Sequence, residues 1–199
     1  MKKLIKLSFF FSFLMLFVAC GDDDLEPTLA LDKDLSTGIN TAADLQSVLN
    51  SAYDRMSGTS YYGRNQIVMG DVRTDNFYST MSSGRFGDAD MEYSTTGSGP
   101  WTTVYGVIAI CNIVIGVDAA SLEGDQGLIN HTIGQAHAIR ALAHFDLLQD
   151  YGQHFVTGQG GAGALGVPYV KTYKDPANLT PPRDTAASNL GDIVADLQG

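Results

Sequence analysis

Few residues in this chain have the type and spacing to break bonds. Four histidines, His131, His137, His144 and His154, fall within one stretch, and Asp71 and Asp75 lie one helical turn apart. His137 and His144 are seven apart and so share a helix face, yet no His-Glu-x-x-His or comparable ligand spacing occurs. Asp71 and Asp75 imitate the carboxylate pair of a glycoside hydrolase, but one such spacing arises by chance and capping explains it as well. There is no serine-based elbow and no phosphate loop. Catalysis is therefore not supported, and neither a metal nor a cofactor is expected. A different chemistry, holding a ligand without breaking it, suits the loop 78–93. It offers Tyr78, Arg85, Phe86, Asp88, Asp90 and Tyr93 on a backbone loosened by Gly84 and Gly87. The competing role for Phe86 and Tyr93 is to pin that loop to the core.

The elements that must position these residues are helical. In 41–56, Leu45, Leu49, Ala52, Tyr53 and Met56 recur at helical spacing, Thr41 with Asp44 resembles a capping box, and Gly58 closes the segment. A weaker helix covers 66–78, interrupted by Gly70. Residues 79–99 are polar and glycine-rich with no sustained period, which predicts a long loop of the kind that often carries function. Pro100 sits where a helix begins, and Trp101, Tyr105, Ile108, Asn112 and Ile115 line one face of 101–117. Its place on that face assigns Trp101 to the core rather than to a ligand. The longest helix, 129–151, carries Ile133, Ala136, Ile139, Ala143, Leu147 and Leu148 inward; Arg140, midway along it, is expected to pair with a carboxylate. Five glycines break up 157–166 and prolines break up 176–183. One more helix, 184–197, is expected to bury Ala187, Leu190, Val194 and Leu197. Only 166–170 looks extended. The fold class is mainly α: paired antiparallel helices joined by long excursions.

The N-terminus reads as an export signal. Lys2, Lys3 and Lys6 precede an apolar run, 7–19, that is shorter than the roughly 18 residues a membrane-spanning helix needs. Val18-Ala19-Cys20 resembles a lipobox, with Phe17 where Leu, Val or Ile is usual, so Cys20 is expected to be acylated and to anchor the chain. Asp22, Asp23 and Asp24 then begin a charged tether. The organisation expected is a signal peptide over 1–19, a lipid-anchored acidic tether over 20–40 and a helical domain over 41–199. Net charge is -10 for the chain; without the three signal lysines, 9 basic residues face 22 acidic ones, which argues against nucleic acid as a partner. With Cys20 bearing lipid, Cys111 has no intrachain mate and is read as a small buried hydrophobe.

Gly134-Gln-Ala-His-Ala-Ile-Arg140-Ala, followed by His144-Phe145, Tyr151-Gly152 and Gly166-Val167-Pro168, resembles the SusD/RagB family of Bacteroidetes outer-membrane nutrient-binding lipoproteins. The resemblance extends to Ala52-Tyr53, to Gly70-Asp71 with Asp75, to Trp101-x3-Tyr105-x2-Ile108-x3-Asn112, and to Arg183 through Asp196-Leu197. Gln135 stands where the family usually has Glu, and Gln153-His154-Phe155 departs from it after Tyr-Gly. Family members are much longer, so the chain is expected to be an N-terminal portion, incomplete at its C-terminus. The resemblance implies irregular tetratricopeptide-like helical pairs with long loops. It also implies a palmitate-type lipid anchor in the outer membrane, facing the cell exterior, and an oligosaccharide or other nutrient as ligand. A SusC-like TonB-dependent transporter is the implied partner. Sugars present C–H faces to aromatic rings and hydroxyls to carboxylates and guanidinium groups, which is what Tyr78, Arg85, Phe86, Asp88, Asp90 and Tyr93 would supply. The alternative is a helical-repeat envelope lipoprotein that acts as a protein-docking scaffold.

Overall fold

The computed structural model of the chain describes residues 38–75, 77–80, 82, 84–87, 99–153 and 158–198. Cys20, Asp88, Asp90, Tyr93 and His154 lie outside the described residues. Almost everything described belongs to the unit Ile39–Gly199.

Helix α1 (Ala42–Ser57) starts where the Thr41 hydroxyl accepts the Asp44 N–H at 3.1 Å while the Asp44 carboxylate accepts the Thr41 N–H at 3.1 Å. This reciprocal pair satisfies two donors that a helix start leaves orphaned. Leu45, Leu49 and Ala52 turn fully inward, but Tyr53 is 43% exposed and its hydroxyl donates to Gln135 on a later helix. Helix α2 (Asn65–Val72) stops well short of the expected residue 78 and buries only Met69 and Val72, which form a small cluster of their own with Val68 and Phe86.

Helix α3 (Trp101–Ile115) is apolar over more than one face. It buries Val104, Val107, Ile108, Cys111, Asn112 and Val114, because it is packed by α1 and by α4 (Gln126–Tyr151). Of the face expected from spacing, Ile108 and Asn112 are buried, while Trp101 stays 37% exposed at the margin, its ring 4.8 Å from those of Tyr105 and Tyr151. Helix α4 begins three residues before the expected start, since Asp125 caps it by accepting the Gly127 N–H at 2.8 Å. It buries Ala136, Ile139, Ala143, Leu147 and Leu148, with Ile133 half-buried.

Helix α5 (Ala186–Gln198), packed on α4, corrects the expected face by one residue. Leu190, Val194 and Leu197 are 47%, 51% and 62% exposed, and Ala186, Asn189, Ile193 and Asp196 point inward. Hydrophobic periodicity would choose the other rotation. Two buried polar anchors override it: Asn189 exchanges hydrogen bonds with the Val167 backbone, and Asp196 receives Arg140. Among the described residues there is no strand, only isolated bridges joining Thr41 to Glu123 and Leu165 to Thr185.

Candidate functional site

The polar residues that look most chemical converge inside the core, around the extended segment 165–171. Arg140 donates from Nε to Asp196 Oδ2 at 2.8 Å, from Nη2 to Asp196 Oδ1, and from Nη1 to Asn112 Oδ1 at 2.7 Å and to the Lys171 carbonyl at 3.2 Å. The bidentate fork suits a carboxylate held on one plane. Asn112 passes the contact on, donating to the Val170 carbonyl at 3.0 Å, and Tyr105 donates to the Pro168 carbonyl at 2.8 Å. Tyr169 donates to Asp196 Oδ2 at 2.6 Å, and His137 meets Asp196 Oδ1 at 3.1 Å. Burial alone would raise the Asp196 carboxyl. Hydrogen bonds from Arg140 and Tyr169, the Arg140 charge and the His137 contact outweigh burial and hold it at about 2.

His144 completes this arrangement without serving as a ligand. Its Nδ1 lies 3.0 Å from the Arg140 carbonyl and its Nε2 lies 3.1 Å from the Val170 N–H, so Nδ1 carries the proton and Nε2 accepts. The ring stacks on Tyr169 with centroids 3.7 Å apart. Burial, opposed by the Arg140 carbonyl, lowers its pKa from 6.5 to about 4, so His144 is neutral. At the outer end of the segment, Arg183 donates to the Gly166 and Tyr151 carbonyls, both at 2.6 Å. His137 and His144 are thus both used in fastening, and no group of three potential metal-binding side chains occurs among the described residues. Asp71 and Asp75 are exposed.

Sequence reasoning missed a second buried hub. Tyr61, fully buried, and Tyr62 both donate to Asp146 Oδ2, at 2.5 and 2.7 Å. Burial raises the Asp146 pKa against the lowering effect of both hydroxyls. The signal was an acid at an inward position of α4, between Ala143 and Leu147, which required a donor.

The candidate binding loop is built differently. Tyr78 is 77% exposed, Phe77 is 57% exposed, and Arg85 is exposed. Phe86 is half-buried against Met69, Val72 and Val68, with φ 59°, and the Arg64 guanidinium lies 5.7 Å from its ring centre. The Ser79 hydroxyl donates to the Arg85 carbonyl at 2.9 Å, closing the turn between Tyr78 and Phe86. Arg73, beyond the end of α2, lies 4.0 Å from Asp150 on α4. Of the six residues expected to hold ligand, the structure therefore presents Tyr78 and Arg85 to solvent and uses Phe86 as the pin.

Comparison with known proteins follows the same lines as the geometry. Residues 25–199 match the SusD-like family described as starch-binding and associating with the outer membrane. SusD-like protein P2 of Formosa agariphila is 24% identical over 201 residues, covering 95% of this chain and 36% of that protein. A crystal structure of a Bacteroides vulgatus protein, provisionally assigned to sugar binding, is 30% identical with a TM-score of 0.69, covering 81% of this chain and 37% of its own. A SusD superfamily protein from the same organism is 26% identical, again with a TM-score of 0.69, covering 80% and 37%. The chain spans just over a third of the length of these relatives.

Proposed function

The chain belongs to the SusD-like family, and on that premise we propose that it is a surface glycan- or nutrient-binding lipoprotein, without catalytic activity, that passes its ligand to a TonB-dependent outer-membrane transporter. The observation that carries the reading is the family match across residues 25–199. The exposed Phe77, Tyr78 and Arg85, beyond the end of α2, agree with it. Cys20 carries the lipid and tethers the domain to the outer membrane, with Asp22, Asp23 and Asp24 directing it outward. Tyr78 and Arg85 contact the ligand, and Asp88, Asp90 and Tyr93 are assigned to the same binding role by their residue types alone. The test is a glycan array with the protein expressed from its own signal, joined to fractionation of cells carrying Cys20→Ala. Binding to at least one saccharide and release of the variant from membranes are expected. Failure to bind any glycan sinks the ligand assignment, and a variant that stays membrane-bound like wild type sinks the anchor.

A specific observation favours a second role. Leu190, Val194 and Leu197 form an exposed apolar stripe along α5, and such stripes mark surfaces that meet other polypeptide. A protein-docking scaffold would use that face, and it would bind its partner equally well with Tyr78 replaced by Ala.

A further inference from the structure

A second ligand-sized depression lies away from the loop 77–87. Residues 169–181, between the Gly166-Val167-Pro168 segment and α5, enclose a groove of about 410 Å³. That volume suits one or two sugar rings. Charge sets the groove apart. The chain carries -10 overall, yet both lysines of the described region, Lys171 and Lys174, line this one groove.

The two lysines are held differently. Lys171 donates to Asp192 at 2.7 Å and lies 5.7 Å from the Tyr169 ring centre, so its charge is already answered. Among the described residues no carboxylate pairs with Lys174; its ammonium lies 5.2 Å from the Tyr173 ring centre. Lys174 also has φ 47°, in the left-handed region that side chains seldom adopt. Strained backbone of this kind gathers at ligand clamps. The acid among the lining residues, Asp175, accepts the Ala177 N–H at 2.9 Å, which engages its carboxylate in the turn. Thr172 and Asn178 add hydroxyl and amide groups, and Leu179, 72% exposed, adds an apolar wall.

From this set we infer that the groove binds the anionic group of an acidic saccharide, a uronate carboxylate or a sulfate ester, on Lys174. Asn178 and Thr172 take neighbouring hydroxyls and Leu179 covers a C–H face. The inference rests on the saccharide reading above but places a selective site on a different loop. It makes the ligand class acidic rather than neutral.

The test prints uronate-bearing and sulfated oligosaccharides beside their methyl-esterified and desulfated counterparts, and titrates the strongest acidic binder. Acidic members should bind about fivefold more tightly than their neutral forms, the scale of a partly exposed ion pair, and the preference should shrink as salt is raised. Lys174→Gln should remove the preference and Lys174→Arg should keep it, whereas Tyr78→Ala should leave the acid-to-neutral ratio unchanged. Uronates and sulfates in the array distinguish the two anions. Neutral forms binding as tightly as acidic ones, or Lys174→Gln retaining the preference, would overturn the groove while leaving saccharide binding intact. No binding by any member, acidic or neutral, would overturn both.

Discussion

The surroundings of Arg140 and the loop 77–87 are both rich in aromatic and charged residues, and they use them in opposite ways. Around Arg140, side chains from α3, α4 and α5 satisfy one another and the backbone of 165–171, and Arg140 and Asp196 are only 4% and 6% exposed. In the loop, Tyr78 and Arg85 face solvent, and among the described loop residues Phe86 packs on a cluster of two buried side chains, Met69 and Val72. Density of titratable groups is therefore a poor guide to where a ligand sits. In the core it marks a fastening, because buried charge must be answered or it destabilises the fold. At the surface an unclaimed ring signals more than a cluster does.

If the Arg140 region is a fastening, breaking it should cost stability heavily. Arg140→Ala leaves Asp196 buried with Tyr169 and His137 as its remaining side-chain partners, and removing one member of a buried pair typically costs 3–5 kcal/mol. A loss of about 4 kcal/mol in urea unfolding is expected. A variant within 1 kcal/mol of wild type would mean that the pair is dispensable and the contrast with the loop is false.

His144 sharpens the comparison through pH. Its pKa is lowered on folding, so the unfolded chain takes up a proton between pH 6.5 and 4 that the folded chain refuses. The stability at stake is fully present above about pH 6.5 and is lost as pH falls toward 4. A lowering from 6.5 to about 4 corresponds to about 3 kcal/mol. Asp146, raised on folding, acts in the opposite sense as pH falls, so the measurement is the difference between wild type and His144→Gln, in which that carboxyl cancels. The difference should shrink from pH 7 to pH 4. A constant difference would show that His144 protonates freely in the fold.

Gly166 tests the fastening on a smaller scale. A Cβ there would lie 2.0 Å from Asn189 Oδ1, and that oxygen accepts the Val167 N–H at 2.7 Å. Gly166→Ala must displace Asn189, at an expected cost of about 2 kcal/mol. Asn189→Ala should absorb part of that cost in the double variant, and strict additivity would show that the two do not meet.

These contacts also explain how much was legible in the sequence. The helices and the Thr41–Asp44 cap followed from spacing and local chemistry, and Arg140 announced its need for a carboxylate by standing mid-helix among apolar residues. The face of α5 did not follow, because Leu190, Val194 and Leu197 give a clean apolar stripe while the rotation is decided by Asn189 and Asp196, whose partners lie 22 to 59 residues away. The Tyr61–Tyr62–Asp146 hub was hidden for the same reason: its separation is 84 to 85 residues. In the loop, residue types suggested binding, but only the fold separates the solvent-facing Tyr78 from the half-buried Phe86.

That separation yields the smallest effect on stability and the most direct test of the comparison. Phe86 packs against Met69 and Val72 from a half-buried position, so Phe86→Ala should cost about 1–2 kcal/mol, less than truncation of a fully buried ring. Tyr78 is 77% exposed, so Tyr78→Ala should change stability by less than about 0.5 kcal/mol. Ligand binding should rank them the other way. Loss of a stacking ring is worth on the order of 1 kcal/mol beyond burial, close to a fivefold change in affinity. Tyr78→Ala should therefore weaken saccharide binding by about that factor with an unchanged melt, whereas Phe86→Ala should lower the melt and disturb binding only through loosening of the loop. Conservative Phe86→Leu would restore the packing and should restore binding with it. If Tyr78→Ala melts and binds like wild type, the exposed ring holds nothing, and the loop 77–87 is a surface turn rather than a site.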